Sequence, residues 1–190
     1  NGASRRLVVQ IEVNGPFKGN IVEFRFPRWV PGSYFIREPI QHMSDLSATL
    51  DGKEIMAKRI DVDGVRVTGV SNASKLVITY RLLAAEMTCR ANHLDSTHVH
   101  IMPPYTWMLP TRGVEENRID GQHIVKLIAP KEWHTATQLE GKEGSWVANG
   151  RDEFLDAIME SNSNEMITFD VMGTKQHLKL WDSGGLPIPE

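Results

Sequence analysis

Leu76-Val77-Ile78-Thr79-Tyr80-Arg81-Leu82 is the stretch from which the fold can be read. Leu76, Ile78, Tyr80 and Leu82 fall on one side of a two-residue period, and Val77, Thr79 and Arg81 fall on the other. Successive side chains of an extended chain point to opposite faces, so this alternation predicts a strand with one face in a core. The pattern recurs upstream. Leu7, Val9, Ile11 and Val13 share a face, as do Val22, Phe24 and Phe26, with Glu23 and Arg25 opposite. Residues 43–50 read as a further strand, and Asp51-Gly52 suits a tight hairpin turn. Residues 54–62 are expected to pair back on it, and Asp63-Gly64 gives a second hairpin signal before Val65-Arg66-Val67.

Downstream, residues 123–129 form another strand pattern, and 135–139 and 145–148 bracket a polar, Gly-rich hairpin. Residues 166–172 and 175–182 form a last hairpin around Gly173-Thr174. Only residues 151–160 read as helix: Phe154, Leu155, Ile158 and Met159 are helically spaced, Asn149 suits the N-cap, and Asp152 and Glu153 suit the first turn. Many short strands with regular turn signals predict an all-β, antiparallel β-sandwich with one short helix. A parallel sheet is excluded because the crossover helices it needs are missing.

Composition agrees. With 190 residues the chain is long enough for a real core, as one domain or a compact pair. The formal charge is −3, with no basic run, which argues against nucleic-acid binding. No apolar stretch approaches the length of a membrane span. Neither signal-peptide pattern nor cysteine usage fixes the compartment, so cytoplasm and periplasm both stand. The single cysteine, Cys89, is expected to be a buried, inert thiol.

Candidate chemistry is sparse. His98 and His100 are two apart and would share a strand face, and with His93 they would make a three-histidine set of the kind that holds catalytic zinc. No carboxylate sits at a characteristic spacing, and the His-Glu-x-x-His zinc signature is absent. There is no Gly-x-Ser-x-Gly elbow to make Ser33 a nucleophile, and no phosphate-binding loop. Tyr105, Trp107, Trp133, Trp146 and Trp181 would suit a carbohydrate-binding face if they were coplanar and exposed.

The densest block of Pro, Gly and aromatics is Pro27-Arg28-Trp29-Val30-Pro31-Gly32-Ser33-Tyr34-Phe35-Ile36-Arg37. Pro31-Gly32 suits the centre of a type II turn, and the flanking rings suggest a rigid, presented loop. This block resembles the Pro-x-Trp-x-Pro-Gly-Ser-Tyr-x-Ile-Arg signature of the amino-terminal domain of M61 peptidases, the glycyl aminopeptidase family. Weaker blocks follow in the family's order: residues 45–48, 77–81, 88–97, 129–137 and 152–156. Residues 157–159 depart from it, and so does the absence of a Trp near Asp63.

The resemblance implies that residues 1–182 are the β-sandwich amino-terminal domain of a larger enzyme. Residues 183–190 would be a linker toward a catalytic domain missing from this chain. It implies no cofactor here, zinc in the missing domain, and a parent that releases small amino-terminal residues. Partners would be the chain's own catalytic domain in cis and, in the parent, a peptide substrate. No catalytic residue or metal ligand carries over. Trp29, Ser33, Tyr34 and Arg37 are the substrate-cleft or interdomain candidates. The alternative is a free-standing β-sandwich binding module for carbohydrate or protein.

Overall fold

The computed structural model describes residues 4–30 and 32–182. In chain order the strands are β1 Arg6–Asn14, β2 Ile21–Arg25, β3 Met43–Leu50, β4 Lys53–Ile55, β5 Ala57–Arg59, β6 Gly64–Thr68, β7 Lys75–Leu83 and β8 His93–Leu94. They continue with β9 His98–Ile101, β10 Leu109–Arg112, β11 His123–Lys126, β12 His134–Ala136, β13 Glu140–Lys142, β14 Ser145–Ala148 and β15 Met159–Asn162. The last two are β16 Ile167–Val171 and β17 Thr174–Leu178. Three short helices intervene: α1 Pro103–Thr106, α2 Glu116–Ile119 and α3 Arg151–Asp156. Every strand pair among the described residues is antiparallel.

Two pairs of sheets enclose two cores. The first pair has strand orders β1-β7-β3-β4 and β10-β2-β6-β5. Its core joins Val9, Leu76, Ile78 and Tyr80 from one sheet to Val22, Phe24, Val65 and Val67 from the other. The alternation read from residues 76–82 is therefore the inward face of β7. Each of these large side chains contributes about 1.5–3 kcal/mol through removal from water. The second pair has orders β12-β15-β9-β8 and β11-β14-β13. Val99, Ile101 and Met159 of one sheet meet Val125, Trp146 and Ala148 of the other. Leu7 and Trp107 pack against both cores and join them.

Four local readings change. Residues 54–62 do not pair back as one strand: β4 stays on β3, while β5 crosses to pair with β6 in the opposite sheet. Residues 135–139 are not an arm of the Gly-rich hairpin. Instead β12 pairs with β15, and β13 makes the hairpin with β14. The helix expected over 151–160 stops at Asp156, and Met159–Asn162 is a strand paired with β9. Ile158 is exposed while Met159 is buried, so the last turn of the expected apolar stripe does not exist. Pairing with β9 and burial of Met159 outweigh a local helical preference that is weak in a short segment. Asn149 is not the N-cap, a place taken by Gly150 without a side-chain bond.

Turn chemistry is obeyed where the chain reverses most tightly. Asp51 and Gly52 both have positive φ, as a two-residue hairpin turn requires, and Met172 and Gly173 repeat this at the β16–β17 turn. Pro110, which has no ladder donor, lies in edge strand β10. No helix among the described residues is long and apolar enough to cross a membrane. Residues 183–190, expected as a linker, lie outside the described residues.

Candidate functional site: the braced aromatic loop and the histidine array

The loop from Arg28 to Arg37 is built on the end of β2. Arg25 bonds the carboxylates of Asp61, at 2.8 Å, and Asp63. The guanidinium of Arg25 holds the Asp61 carboxyl well below the usual carboxylate range. Buried Asp63 also takes Arg28 at 3.5 Å, and its carbonyl accepts the Phe26 N–H at 3.0 Å. Val30 then plugs into a third, small cluster with Ala91, Met102 and Tyr105.

Gly32 has φ +74° and the Ser33 N–H donates to the Val30 carbonyl at 3.0 Å, the features of the expected type II turn. Pro31 itself lies outside the described residues. The Arg37 N–H donates to the Arg28 carbonyl at 2.7 Å and closes the loop.

Within this frame the four sequence candidates divide. Ser33 is buried, and its oxygen faces the Phe35 N–H at 3.4 Å and an Arg37 nitrogen at 3.5 Å. It is a brace, with no base against it among the described residues. Trp29 and Tyr34 point outward, 59% and 101% exposed, and Phe35 and Ile36 join them at 71% and 65%. Arg37 is half-buried, its Nε is buried without a partner, and it pairs with no carboxylate among the described residues. A rigid base thus carries an apolar tip and a cation.

The seat under the loop was not legible in the sequence. Asn92 is buried, and its Oδ1 accepts from the Met102 N–H and the Thr106 hydroxyl, each at 2.9 Å. Its Nδ2 donates to the Tyr105 carbonyl at 3.2 Å. Burial raises the Tyr105 hydroxyl pKa, and nearby Glu86 adds to this.

His93, His98 and His100 do come together, on the face of their sheet away from the second core. His93 faces His100 across β8–β9, and Glu160 faces His100 across β9–β15. All three histidines are buried, at 3%, 5% and 8% exposure. His93 Nδ1 lies 3.3 Å from His98 Nδ1, His98 Nε2 lies 2.5 Å from one Glu160 oxygen, and His100 Nδ1 bonds the other. Burial would raise the Glu160 pKa, but hydrogen bonds from His100 and His98 outweigh it and pull it down to about 2. Burial pushes the His93 pKa down.

Each ring engages another ring or the carboxylate, and His100 Nε2 is left buried without a partner among the described residues. Among the described residues no three His, Cys, Asp or Glu side chains converge to hold a metal. Cys89, expected buried, is exposed beside this array, in a cavity of about 410 Å³. Glu160 escapes the sequence reading because residues 151–160 read as helix and its partners His98 and His100 lie 62 and 60 positions away.

The carbohydrate face is not formed. Tyr105, Trp133 and Trp146 are buried, Trp107 packs on Phe154 between the cores, and Trp181 lies on His98.

The model of the peptidase M61 N-terminal domain matches residues 2–159. The chain belongs to the peptidase M61 N-terminal domain family. Its fold is also that of a solved structure, the crystal structure of an aminopeptidase N family protein from Idiomarina loihiensis. The two superpose with a TM-score of 0.80 at 21% identity, over 92% of this chain. This M61 N-terminal domain spans only 30% of the length of that protein. No curated protein matches it.

Proposed function

We propose that this M61 N-terminal domain packs on the catalytic domain of a zinc aminopeptidase and helps wall its substrate cleft. The observation that carries the reading is the apolar tip of Trp29, Tyr34, Phe35 and Ile36, held out from a loop whose base is fixed by Asp63, Val30 and Ser33. A monomeric surface rarely spends this much bracing to expose adjacent large apolar side chains unless another surface covers them. Interfaces between domains of one chain bury roughly 600–1,500 Å².

Arg37 supplies a charge for the same junction. On this reading it meets a carboxylate of the catalytic domain, which a planar guanidinium can bind through two bonds. On this reading the zinc belongs to that domain; His93, His98 and His100 here are engaged with one another and with Glu160. The expected substrate is a peptide with a small amino-terminal residue, and this domain contributes walls and positioning.

The test is to read the coding sequence beyond the codon for Glu190. A His-Glu-x-x-His segment with a downstream Glu is expected, and a stop codon there would overturn the reading. With the downstream region produced separately, Tyr34→Asp and Ile36→Asp are each expected to weaken its association with this domain at least tenfold. Unchanged association would place the junction elsewhere on the surface.

A further inference from the structure

The segment that follows β17 lies on the outer face of the β12-β15-β9-β8 sheet. Residues 179–181 run across it as a strap. Lys179 Nζ donates to the Asn162 carbonyl at 3.2 Å and to that of Asn164. Asn162 and Asn164 return bonds from their Nδ2 atoms to the Leu180 carbonyl at 3.2 and 2.9 Å. Trp181 stacks on His98, lies tilted against His93 with centroids 5.6 Å apart, and donates from Nε1 to Thr97 Oγ1 at 3.1 Å. Trp181 covers His98 and His93, and the strap shares with Met87, Thr88 and Cys89 the lining of the cavity that also holds His100.

The proton count of this array is limited by its geometry. Two nitrogens 3.3 Å apart need one hydrogen between them. With Glu160 ionised, His98 donates from Nε2 and His100 from Nδ1. His93 Nδ1–H then donates to the bare Nδ1 of His98, so three neutral rings make all three of these bonds, while His100 Nε2 stays buried without a partner among the described residues. One added proton is tolerated: His98 becomes the donor on both sides, His93 changes tautomer, and Glu160 balances the charge. A further proton on His93 sets N–H against N–H across the 3.3 Å gap.

We propose that the strap is a proton-sensitive latch, closed at neutral pH by the His93–His98–Glu160 array and released on mild acidification. The surrounding charges favour this direction. Asp95 and Glu160 are the carboxylates facing the rings, and Arg5, Lys179 and His100 stand on the other side of the balance. Glu143 acts on Lys179, Asp182 follows Trp181, and the Cys89 thiol lines the same cavity. Protonated rings would leave the two carboxylates outnumbered. Release would free the chain at the point where it leaves the second pair of sheets. It would alter how anything attached after residue 182 is held, without unfolding either core.

The experiment uses this 190-residue chain. Amide exchange of residues 178–182 is followed from pH 7.5 to 5.5 and corrected for the intrinsic pH dependence of exchange. The strap is expected to lose protection at least tenfold while residues 76–82 stay protected. In His93→Gln, which cannot take the further proton, the strap is expected to stay protected across the range. The indole N–H resonance of Trp181, identified by its loss in Trp181→Phe, gives a readout on the unsubstituted chain and is expected to shift and broaden over the same interval. A strap whose protection and indole signal do not change with pH would overturn the proposal. So would a His93→Gln chain that, with its core amides still protected, releases the strap as the parent does.

Discussion

The Tyr80 hydroxyl donates to the Thr106 carbonyl at 2.7 Å and accepts the Met108 N–H at 3.3 Å. Tyr80 is fully buried on β7, and Thr106 ends α1, so one side chain ties the first core to the segment that leads toward the second. Burial raises the Tyr80 pKa far enough that the hydroxyl stays protonated at any ordinary pH. Tyr80→Phe keeps the ring and removes both bonds, leaving two buried backbone groups unpaired. The expected cost is about 1–3 kcal/mol in urea unfolding with an unchanged slope. A loss below about 0.5 kcal/mol would mean that water replaces the hydroxyl.

Asn92 makes three bonds from a buried position, and each holds the backbone or a hydroxyl around α1. Asn92→Ala is expected to cost about 2–3 kcal/mol, since the Met102 N–H and Tyr105 carbonyl lose their partners. Met102 and Tyr105 also form the seat of Val30. Faster amide exchange in residues 28–37 should therefore accompany the loss of stability, while exchange in β11–β14 stays unchanged. Asn92→Asp is expected to be worse, because it removes the donor and buries a charge.

How far these relationships could be read in advance depended on the range of the interaction. Inward faces of β1, β2 and β7 follow from a two-residue period, which is a local property, and Asp51-Gly52 is a local turn preference. The change of sheet between β4 and β5, and the strand at 159–162, depend on which distant strand is available to pair, and nothing within ten residues encodes that. The signature loop was legible as a rigid, presented turn. Its seat on Asn92 and Tyr105, the bridge from Glu160 to His98 and His100, and the cover provided by Trp181 join residues roughly 60 to 80 positions apart, where sequence spacing carries no signal.

Two glycines with nearly equal φ separate strain from crowding. Gly113 has φ +84°, and a Cβ there would strike the Ile21 carbonyl oxygen. Gly52 has φ +82° with nothing within 4 Å of the same position. Gly52→Ala should cost only the left-handed conformation, about 1 kcal/mol. Gly113→Ala adds a backbone clash between β2 and the turn after β10, and should cost on the order of 3 kcal/mol. Thermal unfolding of the two variants side by side checks this, and equal shifts would show that the backbone near Gly113 yields.

The aromatic tip should be nearly silent in the stability of this chain. Tyr34→Ser, Phe35→Ser and Ile36→Ser combined remove exposed side chains that touch no core, so the expected change is within about 0.5 kcal/mol. Binding of a hydrophobic dye to the folded chain should fall. A large loss of stability would show that these rings pack on the domain itself and would weaken the docking reading.

Stability should decline with acid in two separate windows. The folded-state pKa of His93 lies below its ordinary value of 6.5 because burial disfavours the charged ring. Below pH 6.5 the unfolded chain therefore binds more protons than the folded one, and stability falls as pH drops through that value. Glu160 behaves likewise at lower pH. Its carboxyl is held at about 2 against an ordinary 4.5, so its contribution is complete above 4.5 and disappears between there and 2. Urea midpoints measured from pH 8 to 2.5 should show a first decline beginning near 6.5 and a second beginning near 4.5. His93→Gln should reduce the first decline, part of which remains because burial lowers the His123 pKa as well, and keep the second. Glu160→Gln should lower stability at pH 7, where the His98 and His100 bonds to an anion are lost, and should reduce the second decline, to which Asp95, Glu12 and Asp61 also contribute. A single acid transition, unchanged by both substitutions, would mean that the array contributes nothing to the pH dependence.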